Sequence, residues 1–247
     1  MSTRDAWLAA TWTLVAAALP ATPARVVEIG CGSQGGLVPR LLAEGYDAVG
    51  VDPEAPAGPA YHRVEFEQYD VGAPVHAVVA STSLHHVHDL GEALDKVAAA
   101  LTPEGVVVIL EWDWSRFDEA TARWCFSRQP APSSPSAPSS DGDHAHGADH
   151  SWLAHQRAEW TASGRPWPDY LQGWAEGEGL HPAAVVLDAL DRRFDRARQE
   201  RTPYLFAELD DTSWADEQAA IDAGDVQATG VYYVGRARRT PPTSTPH

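Results

Sequence analysis

The chain has 247 residues and carries 35 acidic against 18 basic side chains, a formal net charge of −17 at neutral pH. That length suits one well-buried core with an added subdomain rather than two large domains, and the missing surplus of Lys and Arg argues against nucleic acid or an anionic membrane surface and for a small-molecule partner. The only two cysteines, Cys31 and Cys125, provide no disulfide framework, which points to a reducing, cytoplasmic compartment.

Residues 1–20 read as an N-terminal helix. The apolar run from Ala6 to Leu19 is too short to span a bilayer, Arg4 is followed at once by Asp5, and no convincing secretion cleavage site follows. Arg25 to Ile29 is a β-branched run ending in Gly30, and Leu37 to Glu44 suits a helix that Gly45 stops. A second strand reads from Asp47 to Val51, closed by the turn at Asp52–Pro53. Ala77 to Ala80 predicts a buried strand, Leu90 to Leu101 a helix and Val106 to Glu111 a further strand. Such alternation predicts an α/β protein, a parallel sheet with helices on both faces.

Residues 115–179 read as an inserted lid to which Trp124, Trp152, Trp160, Trp167 and Trp174 give aromatic weight. Within it, residues 129–150 begin with a Pro, Ser and Ala tract and are expected to be disordered. His144, His146 and His150 lie there among aspartates and read as solvated loop, so no metal is expected. Pro182 to Gln199 predicts a helix with Val186, Leu190 and Phe194 on one face. Two strands follow, Pro203 to Leu209 and Ala228 to Gly235, separated by an acidic stretch holding Asp210, Asp211, Asp216 and Glu217. Residues 240–247 read as a disordered tail, and the chain 1–247 as a single domain.

The main chemical signal is Val26–Val27–Glu28–Ile29–Gly30–Cys31–Gly32–Ser33–Gln34–Gly35–Gly36. Glycines at a strand-to-helix turn let the backbone approach a ligand closely, but the spacing of Gly30, Gly32 and Gly35 also describes nicotinamide-dinucleotide sites. Glu28 sharpens it, because an acid there repels a pyrophosphate and welcomes the ammonium or sulfonium of a cationic cofactor. Asp52 ends the next strand, where a carboxylate accepts hydrogen bonds from ribose hydroxyls. Cys31 reads as a small loop residue and not a nucleophile, and Gly36 as a packing position against the helix.

Together these residues resemble the class I S-adenosylmethionine-dependent methyltransferases, especially the subgroup with the ubiquinone and menaquinone methyltransferases, over Val26 to Glu111. The resemblance implies a Rossmann-like, doubly wound, mostly parallel sheet of about seven strands with a helical lid, S-adenosylmethionine as cofactor, and methyl transfer to a small molecule. It assigns the methionyl part of the cofactor to Glu28, Gly30, Cys31, Gly32 and Gln34 and the ribose to Asp52. Phe66 and Glu67, in Phe66–Glu67–Gln68, match the adenine-contacting segment, where the family's usual acidic residue after a small or apolar one is replaced. Ala80–Ser81–Thr82–Ser83–Leu84–His85–His86 looks like the post-strand motif beneath the cofactor, with Ser81 and Leu84 as contacts. Leu101–Thr102–Pro103–Glu104–Gly105 resembles the family's Leu-x-Pro-Gly-Gly turn, departing at Glu104.

Methyl transfer from a sulfonium needs alignment and exclusion of water, and a base only when the acceptor loses a proton. His85 is the first candidate for that base and His86 the second, with His88 nearby; a histidine that packs near the cofactor without moving a proton is the alternative. Glu111, Trp112 and Trp114 end the next strand, where carboxylate and indole would hold an amine or aromatic acceptor; the tryptophans equally suit anchoring the lid. Two other functions compete. A nicotinamide-dependent oxidoreductase would share Asp52 but explain Glu28 poorly and leave Ser81 to His86 without a role. A non-catalytic S-adenosylmethionine-binding protein would keep the glycine loop and lack an acceptor cavity. Neither the acceptor atom nor the oligomeric state is specified by the sequence.

Overall fold

The computed structural model describes residues 3–129 and 152–238. In chain order its elements are α1 (Thr3–Ala18), β1 (Arg25–Ile29), α2 (Val38–Ala43), β2 (Asp47–Val51), β3 (Tyr61–His62), β4 (Val75–Ser81), α3 (Leu90–Ala100) and β5 (Leu101–Trp112). There follow α4 (Glu119–Phe126), α5 (Trp152–Ser163), α6 (Trp167–Gly177), α7 (Ala183–Arg193), β6 (Phe194–Thr202), α8 (Trp214–Ala223) and β7 (Gly230–Ala237). Short 3-10 turns occupy Phe66–Gln68, Leu84–His86, Trp114–Arg116 and Leu205–Glu208.

Where one domain with an inserted lid was expected, the chain divides into two compact units. The first gathers Val15–Glu111, Ala184–Glu200 and the chain from Tyr232 on; the second gathers the chain up to Leu14, Trp112–Ala183 and Arg201–Val231. Of residues 115–179, expected to form a lid, those described belong to the second unit together with segments from elsewhere in the chain.

The first unit is built on a mostly parallel seven-stranded sheet of order β3-β2-β1-β4-β5-β7-β6. Its central strands are apolar almost throughout, as strands covered on both faces must be. Val27 of β1 pairs in parallel with Val49 of β2 and Val78 of β4, and Val78 with Val107 of β5. Val27, Ile29, Val78 and Ile109 meet Leu94 of α3, Leu190 of α7, and Phe194 and Tyr233 in one core. Because β1 lies between β2 and β4, the strand order reverses there, and ligands of open α/β sheets bind at the carboxyl ends of the strands at such a point.

Two expectations for the last third are corrected. The helix predicted from Pro182 to Gln199 stops at Arg193, and Phe194–Thr202 forms the strand β6. Between its buried ends that strand is exposed and highly charged, as befits its place at the edge of the sheet, so no alternating pattern announces it. The strand predicted from Pro203 to Leu209 is the 3-10 turn Leu205–Glu208, where the buried Glu217 accepts the backbone N–H groups of Tyr204 (2.9 Å) and Phe206 (2.6 Å). Glu217 belongs to α8, a helix missed within the acidic stretch although a Ser213/Asp216 capping box opens it and Gly224, at φ +79°, closes it.

The second unit has an aromatic core of Trp112, Trp114, Phe117, Phe126, Trp167 and Tyr170. Trp167 is fully buried, donates from Nε1 to the Phe117 carbonyl at 2.5 Å, and meets Phe117, Phe126 and Trp160 edge to face. No helix among the described residues is long and apolar enough to cross a membrane. The disorder expected from residue 130 onward and over 240–247, and with it His144, His146 and His150, lies outside the described residues.

Candidate active site

The glycine loop is held from behind by an acid. β1 delivers Glu28, fully buried, whose Oε2 accepts the N–H groups of Leu37 (2.7 Å) and Val38 (3.0 Å), while Oε1 accepts the Ser81 hydroxyl at 3.1 Å. The carboxylate thus satisfies donors at the start of α2 that the helix cannot satisfy itself, and ties β1 to the end of β4. Gly36, at φ +55°, makes room for it. Glu28 therefore shapes the loop from within and presents no open face to a ligand.

Asp52 holds the loop from the neighbouring strand. Its Oδ2 accepts the Gly32 N–H at 2.9 Å and its Oδ1 the Glu54 N–H at 2.7 Å, and it remains partly exposed, so each oxygen keeps acceptor capacity toward the open side. Burial, then Glu67, then Asp52 itself push the Glu65 carboxyl above its ordinary value, marking an acid-rich rim. Cys31 is fully buried with its Sγ against Gly50, which leaves only its backbone to meet a ligand, whereas Gln34 is exposed on the loop. Phe66 is a core residue under the Lys96 ammonium, which also donates to the Glu67 carbonyl; Glu67 itself is partly exposed. Tyr61 was not foreseen: a Cβ on Gly35 would lie 2.4 Å from its hydroxyl, so β3 sets a phenol against the loop. A strand of two residues leaves no periodic signal that could have found it.

At the end of β4 the backbone is strained. Ser81 is buried against Glu28, and Thr82 takes φ +55°, a left-handed conformation costing a β-branched residue about 1–3 kcal/mol. Ser83 then donates its hydroxyl to the Ile29 carbonyl at 3.0 Å and crosses close over Gly30, where a Cβ would lie 2.2 Å from that of Ser83. The 3-10 turn Leu84–His86 follows, with Leu84 and His85 buried and His86 and His88 exposed. The His85 and His86 rings stand 4.2 Å apart.

Glu111 departs from its expected role as an acceptor-binding group. It is 2% exposed; Oε1 accepts the N–H groups of Ser83 (3.0 Å) and Leu84 (2.6 Å), and Oε2 meets His85 Nδ1 at 2.5 Å. Its carboxylate is turned inward onto the histidine turn and cannot also present itself to a substrate. Trp112 and Trp114, the other two residues of that expected group, are core residues of the second unit, where Trp112 packs edge to face on Trp152 at 4.9 Å and lies nearly parallel to Tyr204 at 6.0 Å. The buried indole N–H groups of Trp7 and Trp114 have no hydrogen-bond partner among the described residues. Nor do the described residues bring three His, Cys, Asp or Glu side chains into a cluster able to hold a metal.

A family model described as a methyltransferase domain matches residues 4–175. The ubiquinone biosynthesis O-methyltransferase of Azorhizobium caulinodans is 33% identical over 100 residues, 34% of this chain and 39% of that protein, so the match spans well under half of the relative. Among solved structures, an S-adenosylmethionine-dependent methyltransferase from Mesorhizobium loti superimposes with a TM-score of 0.51 at 19% identity, covering 92% of this chain and 97% of that one. The N-methyltransferase NodS from Bradyrhizobium japonicum, in complex with S-adenosyl-L-homocysteine, has a TM-score of 0.50 at 12% identity, covering 93% and 86%. At such identities these likenesses establish the fold.

Proposed function

Since the chain belongs to the class I S-adenosylmethionine-dependent methyltransferase family, we propose that it transfers the methyl group of S-adenosylmethionine to a small-molecule acceptor, with the cofactor held by the glycine loop and Asp52. The observation that carries this reading is the seat of Glu28. A dinucleotide places its pyrophosphate on the N–H groups that open the helix after the glycine turn; here those of Leu37 and Val38 already hold the Glu28 carboxylate. That position is filled by an anion of the protein, which disfavours the nicotinamide alternative. The donor set fits S-adenosylmethionine instead: a diol for the partly exposed Asp52, an adenine beside the Phe66–Gln68 turn, and cationic groups for a rim made acidic by Asp52, Glu65 and Glu67.

When bound, S-adenosylmethionine supplies a methyl group already activated on a sulfonium, so the chain's own residues have to bind, orient and exclude water. Glu28 and Asp52 fix the loop, Ser81 and Ser83 tie the end of β4 to β1, and His85 is the candidate base for an acceptor that must lose a proton. A small acceptor is supported by the net charge of −17, which offers no basic surface to an extended polyanion. The likeness to a ubiquinone biosynthesis O-methyltransferase supports the same class. A cytoplasmic setting is supported by the cysteine content.

Isothermal titration calorimetry against S-adenosylmethionine, S-adenosylhomocysteine and nicotinamide cofactors tests the reading. Micromolar binding of the two sulfur compounds alone is expected; binding of a nicotinamide cofactor, or of none of them, would overturn it. Methylated product from an acceptor screen separates the enzyme from a non-catalytic binding protein.

A further inference from the structure

β6 ends the sheet, so along one of its edges the main chain meets no neighbouring strand among the described residues. The residues from Asp195 to Arg201 are exposed on both faces, and only the terminal Phe194 and Thr202 are buried. Main-chain donors and acceptors held in extended form along an open edge are a template for a further strand. Charge blunts such an edge when a second copy would set like charges opposite one another. The charges of β6 do the reverse. Laid antiparallel on its own copy with Arg198 on the symmetry axis, Asp195–Arg196–Ala197–Arg198–Gln199–Glu200–Arg201 sets Asp195 opposite Arg201 and Arg196 opposite Glu200, and symmetry repeats both pairs. A slip of one residue sets Arg196 opposite Arg201 in one direction and Asp195 opposite Glu200 in the other.

Arg198 alone meets its like, and both carboxylate oxygens of Glu200 in its own strand already hold its guanidinium, at 2.6 and 3.0 Å. Arg196 meets the neutral Gln199 amide at 2.5 Å and a carboxylate, Asp191, only at 3.5 Å, which leaves it donors for a second acid. Asp195 and Arg201 have partners of their own, Arg238 at 3.6 Å and Asp113 at 2.6 Å, so the inner pair of Arg196 and Glu200 is the one to probe. We propose that β6 docks antiparallel on β6 of a second copy, centred on Arg198, so that one sheet runs through both. The ladder supplies the affinity, and the charge pairs, each worth little on a surface, set register and partner. β6 brings three arginines against two acids to the meeting of two chains of net charge −17, and at physiological salt the field of remoter charges reaches only about 8 Å. None of this depends on the methyl-transfer reading.

Sedimentation velocity over a concentration series at physiological salt tests it. The wild type is expected to pass from the mass of one chain to that of two. Arg196→Glu sets acid opposite acid and Glu200→Arg sets arginine opposite arginine, both at exposed positions, with circular dichroism as the check on folding. Each variant alone should dimerise at least roughly tenfold more weakly. Mixed in equal amounts the two should dimerise again, because the acid of one then faces the arginine of the other at both inner pairs. A wild type that stays monomeric up to roughly 100 μM, above the micromolar range of a modest interface, overturns the proposal. A dimer that either folded variant leaves intact lies elsewhere and overturns it too, as do variants that remain monomeric when mixed. Should one single variant fail to fold, the other must still break the dimer and the double variant Arg196→Glu/Glu200→Arg, complementary once more, must restore it; any other result overturns the pairing.

Discussion

A Cβ on Gly36 would lie 2.4 Å from Oε1 of Glu28, so the last glycine of the loop and the acid behind it share a single space. The consequence is testable by Gly36→Ala. The φ of +55° alone costs a residue with a Cβ about 1–2 kcal/mol, and the methyl group must also push the carboxylate off the amides of Leu37 and Val38. The expected outcome is a lower melting temperature together with loss of S-adenosylhomocysteine binding. Wild-type values for both would mean that the seat of Glu28 is soft and does not define the loop.

Asp52 is the residue through which cofactor binding should be most directly weakened. Asp52→Ala removes an acceptor for the ribose and the partner of the Gly32 N–H. Losing a charge-assisted hydrogen bond predicts about 1–3 kcal/mol of lost affinity, on the order of one to two powers of ten in the dissociation constant. Calorimetry of the variant checks this, and unchanged affinity would remove Asp52 from the cofactor site.

The first half of the chain was legible because its strands obey a simple physical rule. Val26, Val27 and Ile29, or Ala77 to Ala80, are buried, so apolar runs bounded by turn residues mark them directly. The position of Glu28 and Asp52 around the glycines was equally legible, but which way Glu28 faces was not, since spacing along a chain does not say which hydrogen-bond donors an acid will meet. Glu111 shows the same limit: its place at a strand end suggested a substrate contact, and only the approach of the Ser83 and Leu84 amides reveals that it faces inward. β6 was unreadable for the opposite reason, its exposed positions offering no apolar residue from which to count.

In the second unit the heaviest single contribution should come from Trp167. It is fully buried, hydrogen-bonded to the Phe117 carbonyl and surrounded edge to face by Phe117, Phe126 and Trp160. Trp167→Ala is expected to cost about 3–5 kcal/mol, the range for emptying an aromatic site in a core. Chemical unfolding followed by near-ultraviolet circular dichroism checks this; a loss below 1 kcal/mol would mean that the cluster collapses around the gap.

Glu217 couples the same unit to pH. Burial raises its carboxyl against the lowering pull of the backbone N–H groups of Tyr204, Leu205 and Phe206. A carboxyl whose folded value lies above its unfolded value holds more protons in the native state; its contribution to stability is full below the unfolded value and is lost as pH rises through the folded one. Glu217→Gln abolishes that dependence and also sets an amide NH2 group against the N–H of Tyr204 or Phe206, at a cost of about 1–3 kcal/mol. The variant should therefore be less stable at neutral pH, and its deficit should widen toward acid, where the wild type gains and the variant does not. Melting curves of both proteins from neutral to acid pH measure the gap. If it narrows toward acid, the backbone bonds outweigh burial and the carboxyl is held ionised rather than raised.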